Sequence, residues 1–129
     1  MAGGAEVHLH EILRRLVRRG HEVTWLACSY PGARSEERGE DGILYRRRGP
    51  WQIANWVLPF LLREELRRRE YDVVVEDINK IPFYAPLHTG LPILAVIPHL
   101  FGGTVFRETN PLFASYVWLS ERPIARIYR

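Results

Sequence analysis

Apolar and polar residues follow two different patterns over the first 28 positions. The apolar residues of segment 5–19 recur at the spacing of one helical face: Leu9, Ile12, Leu13, Leu16 and Val17. Gly20 follows at once, as expected for the left-handed cap that ends many helices. Val23 to Cys28 is then nearly all apolar, which is typical of a strand buried on both faces of a parallel sheet. The pattern predicts a helix followed by a buried strand.

The middle of the chain predicts a loop, a short strand and a second helix. Segment 29–41 is polar and contains proline and glycine, so it is predicted to be a loop. Ile43 to Arg47 is predicted to be a strand, and its arginines favour the edge of a sheet. Residues 51–69 are predicted to form a helix that Pro59 kinks or interrupts, because proline lacks a backbone donor.

The remaining segments continue the alternation. Two apolar runs, 73–75 and 91–97, predict strands. A loop follows each strand: residues 77–90, with at most one helical turn, and residues 98–104. Two terminal helices are predicted over 111–121 and 123–129, each with proline in its first turn. Strands that alternate with helices indicate an α/β domain with a mostly parallel sheet flanked by helices.

Composition limits the class of protein. The chain has 129 residues, of which 47% are apolar, as in one globular domain or part of one. Its single cysteine, Cys28, excludes an intramolecular disulfide and a cysteine zinc cluster, and is expected to be structural rather than nucleophilic. The longest apolar run, Trp56 to Leu62, is shorter than the ~20 residues that span a bilayer. No apolar segment opens the chain, so a cytoplasmic location is expected.

The formal charge is +3, from 18 basic and 15 acidic residues. Every basic residue except Lys80 is arginine, and the arginines cluster around positions 14–19, 46–48 and 63–69. These clusters are interpreted as solvated ends of helices and strands. The alternative is a basic face that rests on an anionic membrane surface. Nucleic acid is not an expected partner, because no binding motif and no interleaving of aromatic with basic residues is present.

Polar and glycine residues lie where a ligand could bind. Gly3 and Gly4 precede the first helix, whose N–H groups could bind phosphate; the alternative is a flexible chain end. The full G-x-G-x-x-G pattern is absent, so no nicotinamide site is predicted. His8 and His10 diverge by roughly 200° around the helix, which argues against a shared metal site.

Further candidates follow the predicted strands, whose carboxyl ends are where ligands bind in open α/β sheets. Three polar residues come after the 73–75 strand: Asp77, Asn79 and Lys80. His99 follows the 91–97 strand, with Glu108 nine residues further on. His99 could be a hydrogen-bond donor or a base to a sugar hydroxyl. The alternatives are side chains that stabilise their own loops and a buried structural histidine.

The order of several segments resembles the N-terminal domain of family-4 glycosyltransferases. The similar segments are Gly3-Gly4-Ala5-Glu6, Arg18-Arg19-Gly20-His21-Glu22-Val23, Tyr71 to Phe83, Leu94 to Leu100 with Glu108 downstream, and Leu119 to Pro123. The resemblance implies half of a GT-B fold, in which two Rossmann-like domains face each other across a cleft. It also implies transfer of a sugar from a nucleotide-sugar, with retention of configuration, to a glycan or lipid-linked acceptor.

The resemblance assigns roles by position. Gly3 and Gly4 match the glycine loop that approaches the donor diphosphate, and His99 matches the histidine near the transferred sugar. Metal is not generally required in this fold, so neither a metal nor a cofactor is expected besides the donor. The implied setting is polysaccharide or glycolipid assembly on the cytoplasmic face of a membrane.

Two departures from the family pattern shape the expectation for residues 1–129. The C-terminal domain, which holds most donor contacts in the family, is not in this sequence, and neither is the strand that precedes the glycine loop. The chain is therefore expected to be an incomplete acceptor-side domain, inactive alone, with open edges on its 23–28 and 73–75 strands. A partner chain could supply the missing parts. The alternatives are a non-catalytic α/β binding subunit of a split enzyme and a phosphate-binding regulatory domain.

Overall fold

The computed structural model describes residues 4–78, 81–98, 100 and 102–128. Its helices are α1 Gly4–Arg18, α2 Ala54–Arg68, α3 Val105–Glu108, α4 Pro111–Glu121 and α5 Ile124–Ile127. Its strands are β1 Thr24–Ala27, β2 Glu36–Arg38, β3 Leu44–Arg47, β4 Val74–Asp77 and β5 Ile93–Val96. Short 3₁₀ turns occur at Trp51–Ile53, Ala85–Leu87 and Gly102–Thr104. The chain forms two compact units, Met1–Glu65 and Leu66–Arg129.

The first unit contains a three-stranded sheet in the order β1, β3, β2. β1 runs parallel to β3, and β2 runs antiparallel to it. The predicted helix over 5–19 is confirmed as α1, and two residues of its apolar stripe, Leu9 and Leu13, are buried. Ile43 and Leu61 are also buried in this unit. Leu16 and Val17 are half-buried and Ile12 is exposed, so the stripe is buried only in part.

Two predictions in this unit are wrong. Segment 29–41 is not all loop, because it contains β2, and β3 is the central strand of its sheet rather than an edge strand. The reason is charge pairing across the strands. Arg46 lies 3.2 Å from Glu36, and Arg47 lies 2.8 Å from Glu37. Opposite charges on neighbouring strands stabilise a sheet, so these arginines are compatible with a central position.

The predicted helix over 51–69 is present as a 3₁₀ turn followed by α2. The helix continues through Pro59, so an interruption at that residue is the wrong expectation. Buried Glu65 of α2 forms an ion pair of 2.9 Å with buried Arg46 of β3. This contact helps to fix the second half of the helix against the sheet, because each buried charge compensates the desolvation cost of the other.

The second unit contains β4 and β5 as a parallel pair, at the positions where strands were predicted. Helix α4 matches the predicted 111–121 segment, and the Asn110 side chain caps it by accepting from the Phe113 N–H at 2.9 Å. The predicted 123–129 helix is shorter, as α5, and the sequence pattern did not predict α3. A small core of Val105, Ala114 and Val117 joins α3 to α4.

The α/β fold class is confirmed, with parallel pairing in both sheets. Among the described residues, β1 and β4 each pair with a single strand. None of the described helices is long and apolar enough to cross a membrane.

Candidate functional site

The carboxyl ends of β4 and β5 lie at the same edge of their sheet. The register pairs Asp77, the last residue of β4, with Val96, the last residue of β5. Segments that follow these two strands therefore leave the sheet side by side. This is the edge at which open α/β sheets bind their ligands, so we treat it as the candidate functional site.

A buried carboxylate shapes the loop that follows β4. Glu76 is 4% exposed, and its two oxygens accept hydrogen bonds from the backbone N–H groups of Phe83 at 2.6 Å and Ala85 at 2.9 Å. Two charge-assisted bonds compensate the burial of this side chain. Because both oxygens are occupied by backbone donors, Glu76 positions the loop and is poorly placed to act as a base.

Tyr84 lies between these two anchored residues and has a left-handed backbone, with φ of 54°. Such a conformation costs free energy in a residue other than glycine and persists where the surroundings impose it. The Tyr84 hydroxyl donates a hydrogen bond to the carbonyl oxygen of Ser120 in α4. Burial raises the pKa of Tyr84, and the nearby Tyr116 and Glu76 raise it further. The hydroxyl is therefore a neutral donor that ties this loop to α4.

The loop that follows β5 is tied to the same end of α4. The Gly102 N–H donates to the Glu121 carboxylate at 2.8 Å, and Gly102 has a φ of +50°. A larger side chain at position 102 would not clash, because an added Cβ would meet nothing within 4 Å. The positive φ is the reason for glycine here, since it strains other residues. Ser120 and Glu121 are consecutive, so one helix end holds both loops of the candidate site.

Tyr128 adds a second aromatic hydroxyl beside Glu76. Burial raises the pKa of Tyr128 first, and the Glu76 carboxylate raises it further. The tyrosine therefore stays protonated and neutral next to the charged carboxylate. No pattern in the sequence identified this group of positioning residues: Glu76, Tyr84, Ser120, Glu121 and Tyr128. The one available signal was the position of Glu76 at a strand end. Nothing in the sequence indicated that Glu76 would bind the backbone of residues 83 and 85.

The structure places only part of the predicted site. Asp77 ends β4, Gly4 begins α1, and Glu108 ends α3. Four other predicted residues lie outside the described residues: Gly3, Asn79, Lys80 and His99. The side chain of Glu108 is also outside the described part of the structure. Gly4 belongs to the first unit, and Asp77 and Glu108 belong to the second. The binding of substrate by these residues stays a prediction.

A second polar cluster, in the first unit, was also missed. The Asp41 carboxylate accepts hydrogen bonds from the Tyr45 hydroxyl at 2.6 Å, His10 Nε2 at 2.7 Å and the Ile43 N–H at 3.0 Å. Burial opposes the charged form, but these hydrogen bonds outweigh it and lower the pKa of Asp41. A Cβ on Gly39 would lie 2.5 Å from the same carboxylate. The cluster holds α1 against the turn before β3.

Clusters of metal-ligating side chains and the state of the single thiol can be described for the part of the chain that the structure covers. Within residues 4–78, 81–98, 100 and 102–128, no group of three or more histidine, cysteine, aspartate or glutamate side chains could hold a metal ion. Burial raises the pKa of the half-buried Cys28 thiol, which disfavours the reactive thiolate.

Comparison with known proteins identifies the family of the chain. Residues 2–128 match the family model described as Glycosyltransferase Family 4. No curated protein and no solved structure matches the chain. The family match spans both compact units, so it covers both polar clusters and the edge formed by β4 and β5.

Proposed function

Because the chain belongs to glycosyltransferase family 4, we propose that it is the acceptor-side domain of a retaining glycosyltransferase. The reaction is transfer of a sugar from a nucleotide-sugar to a glycan or lipid-linked acceptor. The family match over residues 2–128 is the observation that carries this proposal. The shared edge at the ends of β4 and β5 supports it, because this is where a sheet of this kind binds ligands.

The proposed roles follow the positions of the residues. His99 is a hydrogen-bond donor or base at the reacting sugar, because histidine can exchange a proton near neutral pH. Gly3 and Gly4 bind the donor diphosphate through backbone N–H groups at the start of α1. Polar residues after β4 contact the substrates: Asp77, Asn79 and Lys80, together with Glu108. The anchoring of both loops on α4 supports this assignment, since catalysis needs fixed geometry.

A second Rossmann-like domain completes the proposed enzyme by supplying most of the nucleotide contacts, as it does in the family. That domain can belong to a partner chain. Neither a metal nor a cofactor is part of the proposal beyond the donor itself. The proposed setting is the cytoplasmic face of a membrane, where arginine-rich helix faces bind anionic lipid and the acceptor is lipid-linked.

The decisive experiment replaces the predicted catalytic histidine. The chain is combined with a family-4 donor-binding domain, and sugar transfer from UDP- and GDP-sugars is measured. We expect His99→Ala to lower turnover by at least about 100-fold, the usual contribution of a general acid or base, with an unchanged melting temperature. His8→Ala, at an exposed position of α1, is the matched control and should retain turnover.

Two outcomes contradict the proposal. Equal losses of activity and melting temperature in His99→Ala would make the histidine structural. A mixture that forms a stable complex but transfers no sugar would support the alternative function, a non-catalytic binding subunit.

A further inference from the structure

Helix α2 and the turn before it carry large aromatic side chains that the fold leaves in solvent. Trp51 is 74% exposed, Trp56 71% and Phe60 64%. Single exposed apolar residues are ordinary, but three aromatic ones within ten positions are not. Aromatic side chains gain more than most from leaving water, so this group points to an interaction surface.

The aromatic residues of the helix share a face with arginine. Trp56, Phe60 and Arg63 are spaced by four and three residues, so they lie within about 60° of one another around the helix. All three are exposed. Other positions of α2 supply the buried contacts, namely Pro59, Leu61 and Glu65. The exposed face is therefore additional to the face that stabilises the fold.

The charge of this face is positive because the acidic residues of the helix are used elsewhere. Glu64 lies 2.6 Å from Arg48, and Glu65 lies 2.9 Å from Arg46. Both carboxylates are thus neutralised by arginines of the β3 region. Arg63 stays exposed beside the aromatic residues, and basic residues follow in the last turn of the helix. The surface combines aromatic rings with positive charge and carries no exposed acid of its own helix.

We propose that the aromatic–basic face of α2, formed by Trp56, Phe60 and Arg63, binds the surface of an anionic lipid bilayer. Tryptophan and phenylalanine rings favour the boundary between headgroups and acyl chains, while arginine binds lipid phosphates. A helix of 15 residues is too short to cross a bilayer, so α2 lies along the interface.

Lipid is the occupant that the charge favours. An apolar protein partner would be matched by rings alone. This face instead places a cation next to the rings, and the two acids of the helix are paired with Arg46 and Arg48. The inference rests on the membrane part of the proposed function and is independent of sugar transfer. Failure of lipid binding would leave transfer to a soluble acceptor intact, and the two failures are therefore distinguishable.

The test measures partitioning of the whole chain onto phosphatidylcholine vesicles with and without about 30% phosphatidylglycerol, at low salt. We expect binding only to the anionic vesicles, with a blue shift of tryptophan fluorescence. The double variant Trp56→Ser/Phe60→Ser should bind at least about tenfold more weakly, because it loses most of the inserted apolar area. Leu112→Ser is the matched control, since Leu112 is an 87% exposed apolar residue of α4.

Charge is tested separately. Arg63→Gln should weaken binding to anionic vesicles and reduce its salt dependence, whereas Arg107→Gln, an exposed arginine of α3, should not. The proposal is overturned if the chain ignores anionic vesicles, or if Leu112→Ser loses as much binding as the double variant. It is also overturned if the aromatic variant instead abolishes self-association in solution, because the face would then bind a second copy of the chain.

Discussion

At Asp41, three donors converge on one carboxylate: two from the nearby residues Ile43 and Tyr45 and one from His10 in α1. His10 lies in α1, 31 residues before Asp41 in the chain, and Tyr45 lies in β3. The aromatic ring of Trp25 lies near both, with ring centroids 6.0 Å from His10 and 6.1 Å from Tyr45. A single ionised side chain thus ties a helix, a turn and a strand together, and its charge should be visible in the stability of the unit.

Asp41→Asn removes the charge at this carboxylate. Loss of the charged acceptor should lower the free energy of unfolding at pH 7 by about 2 kcal/mol. The folded pKa of Asp41 is below its unfolded value. Its contribution is therefore complete above the unfolded pKa, about 3.9, and is lost as the pH falls through the folded pKa. Urea unfolding at pH 7 and at acidic pH measures both effects.

The control for this prediction is Asp72→Asn, because Asp72 is exposed. It should change neither the free energy of unfolding nor its pH dependence by a comparable amount. If both variants showed the same acid dependence as the unchanged chain, the hydrogen-bonded cluster around Asp41 would not contribute to stability as described.

Among the secondary-structure elements, the periodic helices could be predicted from the sequence and the strand held by paired charges could not. Helices α1 and α4 were predicted because apolar spacing and proline position are local signals. Strand β2 was missed because its residues, Glu36–Arg38, are all charged. Such a segment becomes a strand only when a neighbour offers opposite charge, as Arg46 and Arg47 do. No local pattern contains that information.

Glu76→Gln tests how the loop after β4 is anchored at the candidate site. Glutamine keeps one acceptor oxygen, so one of the N–H groups of Phe83 and Ala85 loses its partner. We expect a loss of about 1–3 kcal/mol in the free energy of unfolding. Amide hydrogen exchange at residues 83 and 85 should accelerate selectively.

Glu70→Gln is the matched control for this loop, because Glu70 is exposed and the same charge is removed. It should leave exchange at residues 83 and 85 unchanged. Unaltered protection in Glu76→Gln itself would show that the carboxylate does not hold the loop. In the assembled enzyme, the loosened loop should also lower turnover, since the loop follows the strand end at which the substrates are proposed to bind.

For the whole molecule, the proposed function divides the reaction between this domain and a second, donor-binding domain. Calorimetry of the chain alone with UDP- and GDP-sugars tests this division. We expect no saturable heat at millimolar donor, because the proposed enzyme takes most nucleotide contacts from the donor-binding domain. Saturable binding by this chain alone would favour the remaining alternative, a phosphate-binding regulatory domain.

The sequence by itself determined the alternation of helices and strands, the α/β class and the family, because these depend on local periodicity and on the order of short segments. Only the tertiary structure decided which acids are buried, which of them fix loops, and which aromatic residues are left in solvent. Asp41 and Glu65 resemble any other acid in the sequence, and Glu76 differs only in its position at a strand end. Their roles depend on donors and cations brought beside them by folding, since burial and hydrogen bonding act through space rather than along the chain.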